Sequence, residues 1–313
     1  MPFLTDDVYE GTNGHLFLAK GSNNVIALFQ LSRDEREELI RRWIELIVRR
    51  GDGLRNDGIV YRHCFVPDKL SIYREEAGEI WDGLVSPAET IEASDNPRLR
   101  RYLVGLTDYL RRQKATYEMF PKNDTHWTLE GCFSAYQMLC ASLQIQQRAD
   151  LVYLKPASIE LSGDLGGKLH PKRLETFRFG TFARSAKRSF ANDLVSLRES
   201  GVLANEVGLH VGSIVQFSNR SAQAAKRLLL FGDSFSEYRT HYLTGLLADT
   251  VSELMFVWSS NLDYRIIRDF KPDIVVTELA ERFMSRPPTD DVDLVEHAKR
   301  KVERAVEAAK GKS

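Results

Sequence analysis

The stretch Leu228-Leu229-Leu230-Phe231-Gly232-Asp233-Ser234-Phe235 decides how this chain is read. Consecutive apolar residues closed by a glycine have the length and punctuation of a strand buried on both faces. A serine follows the glycine by two positions, just before a segment of helical character. Strand, sharp turn and helix in that order lift a serine hydroxyl above the end of a sheet, where a substrate can reach it. Toward the C-terminus the pattern stays regular: strand 228–232, helix from about 236 to 248, strand 254–258, helix 261–269 and strand 273–277. Short parallel strands joined by helices predict an α/β fold, a three-layer α/β/α sandwich on a mainly parallel central sheet. Ligands of such sheets bind at the carboxyl ends of the strands, and Ser234, Ser259 and Glu278 are expected at such ends.

Toward the N-terminus a helix is predicted from Arg33 to Arg50. Ser32 can cap it, Glu35 completes a capping box, and Gly51 is the expected stop. Leu39, Ile40, Trp43, Ile44 and Ile47 make its apolar stripe. Ile59 to Val66 alternates as a strand ending in Pro67-Asp68. A helix is expected from Asn96-Pro97 to about Gln113, and a short strand over Thr116–Phe120. That strand would deliver the chain to Asp124-Thr125-His126-Trp127. Thr128 can cap a further helix to about Ser142, in which Gly131 and Ala135 permit close packing. Residues 150–161 read as β-rich, 163–167 as a glycine-rich loop, and 209–217 as containing a strand. Helical periodicity returns through Leu294, Val295, Ala298, Val302 and Ala305, a tail able to dock on its own domain or on a partner. The expected division is a catalytic domain over 1–289 and a helical tail over 290–313.

Bulk properties exclude several classes. The 313 residues are 43% hydrophobic, enough for a sizeable core. The 43 basic and 44 acidic residues leave a net charge of −1, so no global excess points to nucleic acid or anionic lipid. Of the three cysteines, Cys132 and Cys140 lie too far apart along one predicted helix to pair, and no Cys-x-x-Cys spacing occurs. All three, Cys64 included, read as small buried residues. No cluster of histidines argues for a metal. The N-terminus lacks the basic-then-apolar pattern of a leader, and no run approaches membrane-spanning length. The expected location is cytoplasmic, or outside the cytoplasm if a leader has been removed.

A serine hydroxyl needs a base to take its proton and an acid to orient that base. His126 is the candidate base and Asp124 its orienter. At i and i+2 of an extended loop their side chains point to one side, so Asp124 can hold one imidazole nitrogen while the other faces Ser234. The plainer alternative is a surface turn capping the next helix. Asp233 reads as structural, accepting backbone N–H bonds in its turn. The backbone N–H of Ser234 is the expected oxyanion donor.

Gly-Asp-Ser-Phe after a hydrophobic strand resembles the nucleophile block of the SGNH (GDSL-like) hydrolase superfamily. In most of that superfamily the Asp and His follow the serine. An Asp-x-His-Trp placed before it is similar to the alginate O-acetyltransferase branch, whose members O-acetylate bacterial polysaccharides. Gly11-Thr12-Asn13-Gly14-His15-Leu16-Phe17-Leu18 and Val66-Pro67-Asp68-Lys69 with Ile72-Tyr73 agree with that branch. So do Gly163-Asp164-Leu165-Gly166 and Lys271-Pro272-Asp273 with Glu278, Glu281 and Arg282, all in the family's order. The resemblance implies an SGNH-like fold and an acetyl-serine intermediate on a Ser234–His126–Asp124 triad. The superfamily's glycine and asparagine oxyanion blocks are missing in plain form. Ser260 and Asn261 occupy roughly the corresponding place and are candidate further donors.

Trp127, Arg282 and Asp164 are candidate substrate-binding residues, each with a plainer role open: core packing for Trp127, an ion pair with Glu278 for Arg282, a turn for Asp164. Trp127 and Trp258 are candidate sugar platforms. The leading expectation is an O-acetyltransferase acting on a carbohydrate hydroxyl. An esterase with the same residues and water as acceptor is the first alternative, and a non-catalytic carbohydrate-binding protein the second. Expected partners are a carbohydrate acceptor and an acetyl donor or donor protein. No tightly bound cofactor is expected. Acetyl-CoA is one possible donor, with 163–167 only a weak candidate for holding its phosphates.

Overall fold

The computed structural model describes residues 3–20, 24–78, 84–148, 150, 157–180, 184–201 and 210–310. Its strands are β1 (Val8–Glu10), β2 (Leu16–Leu18), β3 (Val60–Val66), β4 (Ala157–Leu161), β5 (Glu175–Phe179), β6 (Lys187–Ala191), β7 (Ile214–Ser218), β8 (Ala224–Gly232), β9 (Val251–Trp258) and β10 (Ile274–Ala280). Six of them form the central sheet in the order β3-β10-β8-β9-β7-β6. The first four in that order are parallel, and β7 and β6 join antiparallel. The pairs β1–β2 and β4–β5 are separate antiparallel hairpins.

Strand β3 shows how the layers arise. Alternate residues of a strand face opposite sides. On one side the ring of Trp43, from the helix Arg33–Asn56, packs against His63 and Phe65. On the other, Arg62 donates to the carbonyl of Ser142 in the helix Leu129–Leu143. Helices therefore cover both faces, giving the α/β/α sandwich. Strands β8 and β10 lie in the middle, and their runs Leu228–Phe231 and Ile274–Ala280 are buried throughout. That burial explains why they are continuously apolar. The helix Leu294–Lys310 packs on Asp193–Glu199 through Leu194, Ala298 and Ala305.

The capping box of Ser32 and Glu35 forms, and Thr128 caps its helix through the Gly131 amide. Other elements differ from the sequence reading, each for a local reason. The first long helix passes through Gly51 to Asn56. A Cβ at Gly51 would lie 2.4 Å from the Tyr102 ring, so this glycine serves a close approach rather than a stop. The helix expected over 97–113 is two, Pro97–Arg100 and Thr107–Gln113. Between them Leu103 bridges to His63 of β3, which an unbroken helix would prevent. No strand forms at 116–120, where the Met119 amide donates to the Tyr73 hydroxyl instead of a neighbouring chain. The helix after Ser234 begins only at Leu243. Residues 235–242 are held as a turn by Ser236 and Glu237 amides donating to the Asp233 carbonyl, with Glu237 at φ 57°. Residues 163–166 form one helical turn. Parts of the expected β-rich 150–161 and 209–217 regions, and the end of the tail, lie outside the described residues.

Candidate active site

Strands β8, β10, β9 and β3 all run to the same edge of the sheet, and the Gly232-Asp233-Ser234 turn stands there. Two acids fix it. Asp233 accepts from the Phe235 amide (2.9 Å) and from the Ala280 amide at the end of β10 (2.7 Å). Glu278 is not beyond β10 but inside it and fully buried, and it accepts from the Asp233 amide (3.2 Å) and the Ser236 hydroxyl (2.6 Å). Burial, then the neighbouring Asp233, push the Glu278 carboxyl well above its ordinary range. Gly232 is required because a Cβ there would sit 2.8 Å from Glu278 Oε2 and from Ser236 Oγ. The amides of Asp233, Phe235, Ser236 and Glu237 are thus all engaged. That of Ser234 makes no hydrogen bond among the described residues.

The structure brings the three expected residues together. His126 Nε2 lies 2.8 Å from Ser234 Oγ, and His126 Nδ1 lies 2.9 Å from Asp124 Oδ1. A carboxylate only accepts, so Nδ1 carries the proton and Nε2 presents its lone pair to the serine. The His126 amide donates to the same Asp124 oxygen (2.7 Å). Burial alone would raise the Asp124 pKa, but the His126 bond and charge, with the His126 and Asp164 amides, outweigh it and hold the carboxyl below its ordinary value.

The Asp124–His126 loop pairs with no strand of the central sheet, and a set of long-range bonds clamps it instead. Lys69, buried, donates from Nζ to the carbonyls of Pro121 (2.5 Å), Lys122 (2.7 Å) and Asp124 (3.3 Å). Burial pulls its pKa down from 10.5 to about 8, against the opposing pull of Glu175, Asp124 and Asp164. The Leu16 amide of β2 also donates to the Lys122 carbonyl, and Glu175 of β5 accepts the Lys122 and Asn123 amides. Lys69 and Glu175 carry no catalytic signature in the sequence. Only the place of Lys69 beside Pro67-Asp68 marked it.

Asp164 holds the loop from the other side. Its carboxylate accepts from the Thr125 amide (2.8 Å) and hydroxyl (2.5 Å), and its amide donates to Asp124 Oδ2 (2.9 Å). Its Oδ2 also lies 3.8 Å from His126 Nδ1. Asp124, His126 and Asp164 offer ligand-type atoms within 4.8 Å of one another, but those atoms are already bonded within the cluster. The glycines nearby serve packing. A Cβ on Gly163, which has φ +64°, would lie 2.4 Å from the Asn123 carbonyl oxygen. The Leu165 and Gly166 amides donate to that same oxygen, so this segment has no free row of N–H groups for a phosphate.

The remaining candidates have other contacts, although Trp127 lines the cleft beside His126. Trp127 is buried with its ring edge-on to Phe235, and Trp258 is buried against the His210 ring, so neither exposes a platform. Arg282 forms no ion pair with Glu278. It lies over the Phe235 ring, and among the described residues it pairs with Asp68 at 3.9 Å. Ser260 and Asn261 are tied to another network, the Ser260 carbonyl accepting from Arg50 and the Asn261 side-chain oxygen from the Asp290 amide. Glu281 accepts from the Asp68 amide and the Ser71 hydroxyl, binding the end of β10 to the loop that carries Lys69. All three cysteines are buried and free.

Beside His126 opens a cleft of about 340 Å³. The 116–130 segment forms one wall and the β4–β5 hairpin the other, through Phe177, Arg178 and Phe179. Tyr242 and His241 close one end, and burial with the nearby Arg239 lowers the His241 pKa to about 4, leaving it neutral.

The family model of the SGNH hydrolase-like domain, acetyltransferase AlgX, matches residues 8–199. The match spans the N-terminal motifs and the Asp124–His126 loop and ends before the Ser234 turn. The fold is similar to the O-acetyltransferase domain of Pseudomonas putida AlgJ, 17% identical over 95% of this chain and 99% of that one, TM-score 0.55. It is also similar to Bacillus cereus PatB1 carrying a sulfonyl adduct, 14% identical over 92% of this chain and 99% of that one, TM-score 0.58. A DHHW family protein from Eubacterium siraeum is 14% identical over 95% and 96%, TM-score 0.56. At such identities the likeness is one of fold. No curated protein sequence matches the chain significantly. No helix among the described residues is long and apolar enough to cross a membrane.

Proposed function

We propose that this chain, which belongs to the AlgX family of SGNH hydrolase-like acetyltransferases, is an O-acetyltransferase that moves an acetyl group to a carbohydrate hydroxyl through acetyl-Ser234. The observation that supports this most is the continuous relay from Ser234 Oγ to His126 Nε2 (2.8 Å) and from His126 Nδ1 to Asp124 (2.9 Å). Ser234 Oγ attacks the acetyl carbonyl while His126 Nε2 takes its proton. Asp124 stabilises the imidazolium that forms and keeps its orientation. Negative charge gathers on the former carbonyl oxygen, and the free Ser234 N–H is the proposed donor to it. Collapse expels the donor's leaving group, which receives the proton from His126, and leaves acetyl-Ser234. A sugar hydroxyl then gives its proton to His126 Nε2 and attacks the acetyl carbon. The second collapse returns that proton to Ser234 and releases the O-acetylated sugar.

The acetyl donor is an activated ester or thioester that visits the site, presented freely or by a partner protein, and no tightly bound cofactor enters the scheme. Water in place of the sugar would make the same residues an esterase. The aromatic cleft beside His126 favours a shaped acceptor over water, since positioning a hydroxyl near the acyl carbon can contribute several kcal/mol and ~1.4 kcal/mol is tenfold in rate.

The test is to load the enzyme from an activated acetyl ester and follow acetate release with and without oligosaccharides. Acetylated sugar should accumulate while acetate release falls, and Ser234→Ala should do neither. If acetate is the sole product across a broad set of saccharides, the esterase reading replaces this one.

A further inference from the structure

The cleft beside His126 has a composition that the triad does not explain. Its walls present aromatic surface that folding has left in water. Tyr117 is 52% exposed. Phe177 and Phe179 of β5, near-parallel with centroids 6.1 Å apart, are half-buried on the facing hairpin. Half-exposed rings on opposite sides of a slot suit the apolar faces of a pyranose ring, whose edges carry the hydroxyls. The charges are uneven as well. Glu118, Asp124 and Glu130 line the cleft against one guanidinium, that of Arg178. Arg178 is taken by Glu130 and Asp124 by His126. The carboxylate of Glu118, exposed at the cleft wall, has no hydrogen-bonding or ion-pair partner among the described residues. Water displaced by the surrounding chain, then Glu175, holds its pKa above the ordinary value, with Glu130 adding to the effect and Lys69 and Lys122 opposing it.

We propose that this cleft is the acceptor subsite, that Tyr117 and Phe177 grip the sugar ring, and that Glu118 selects amino sugars and neutral sugars over uronates. The proposal rests on the acetyltransferase reading for its role in catalysis, but its ligand preference is a property of the cleft alone. A sugar ammonium gains an ion pair with Glu118, a neutral sugar gains hydrogen bonds to it, and a uronate meets a like charge.

The experiment measures binding to Ser234→Ala, which cannot turn over, using β-1,4-linked tetrasaccharides of glucosamine, glucose and glucuronate. At low ionic strength the glucosamine oligomer should bind about tenfold more tightly than the glucuronate oligomer, and the gap should shrink as salt screens it. Adding Glu118→Gln should reduce that ratio to about threefold or less, the part that the attractive and repulsive Glu118 terms carry. Adding Phe177→Ala should weaken all three sugars together. Equal or tighter binding of glucuronate, a ratio unmoved by Glu118→Gln, or no binding of any of the three overturns the proposal. Acylation is scored separately on the wild-type chain. An enzyme that forms acetyl-Ser234 and acetylates sugars through some other surface breaks this inference alone. A chain that binds amino sugars as described but never acetylates them breaks the functional reading alone.

Discussion

Ser234 sits on a turn whose anchors lie on β8 and β10, whereas His126 sits on a loop that none of the central strands pairs with. The serine is held by Asp233 reaching the Ala280 amide and by Glu278 reaching the Asp233 amide, all within adjacent strands of one sheet. The histidine is held by Lys69 from the helical turn that follows β3, by Glu175 from a separate hairpin and by Asp164 from a single helical turn. A nucleophile placed by the sheet tolerates loss of one side-chain bond, because the strands themselves set its position. A base placed by clamps depends on each clamp, since a displacement of ~1 Å at the reacting atoms can cost about a hundredfold in rate.

The largest loss is expected at the relay itself. Replacing His126 with Ala should lower kcat/KM by about four to six orders of magnitude, because the members of such a unit fail together. Melting temperature should barely move, as His126 is partly exposed. A variant retaining a tenth of wild-type activity would remove His126 from the mechanism.

Lys69→Met should come next. The carbonyls of Pro121, Lys122 and Asp124 lose their shared donor. Activity should fall about a hundredfold, with roughly 1–3 kcal/mol of stability lost. The pH profile separates positioning from unfolding. With a folded pKa of about 8 against 10.5, Lys69 sheds its proton in the native state first. Between those values the unfolded chain binds more protons, so this group makes folding more favourable as pH rises. Activity should nevertheless decline through pH about 8 while the melting temperature gives no parallel loss from this group. An alkaline limb that survives unchanged in Lys69→Met, measured on its residual activity, would assign that limb to another group.

The smallest effect is expected on the sheet side. Glu278→Gln keeps an oxygen for the Asp233 amide and the Ser236 hydroxyl. Glu278 has a folded pKa raised above its unfolded value, so its contribution is fully present below the ordinary carboxylate range and is lost as pH rises toward the folded value. The variant should therefore retain activity within about tenfold of wild type, and its melting temperature relative to wild type should improve as pH rises from 4 to 8. A hundredfold loss of activity would show that the serine turn is as dependent on single bonds as the histidine loop.

The same contrast governs how much of the molecule was legible in its sequence. Leu228–Ser234, the capping box at Ser32 and the Thr128 cap are local patterns, and each formed where it was expected. Asp124 and His126 were legible because their i, i+2 spacing is local too. What failed needed tertiary information. Gly51 read as a stop because its partner, Tyr102, lies some fifty positions away in sequence. The break at Leu103 is set by pairing to β3. Trp127 and Trp258 have the chemistry of sugar platforms, but burial is a property of the whole fold. Lys69 and the clamping role of Asp164 depend on contacts that no spacing encodes, and the exposed faces of Tyr117 and Phe177 became visible only once the hairpin was placed beside the loop.

The mechanism stands on Ser234 carrying the acetyl group. Brief exposure of the intact protein to an activated acetyl ester, followed by mass spectrometry of the whole chain and of its peptides, tests it most directly. The mass of one acetyl group should appear on the peptide containing Ser234, absent in Ser234→Ala, slow to form in His126→Ala, and discharged when an acceptor sugar is added. Acetylation at another residue, or an unmodified chain that still yields acetylated sugar, would contradict the mechanism.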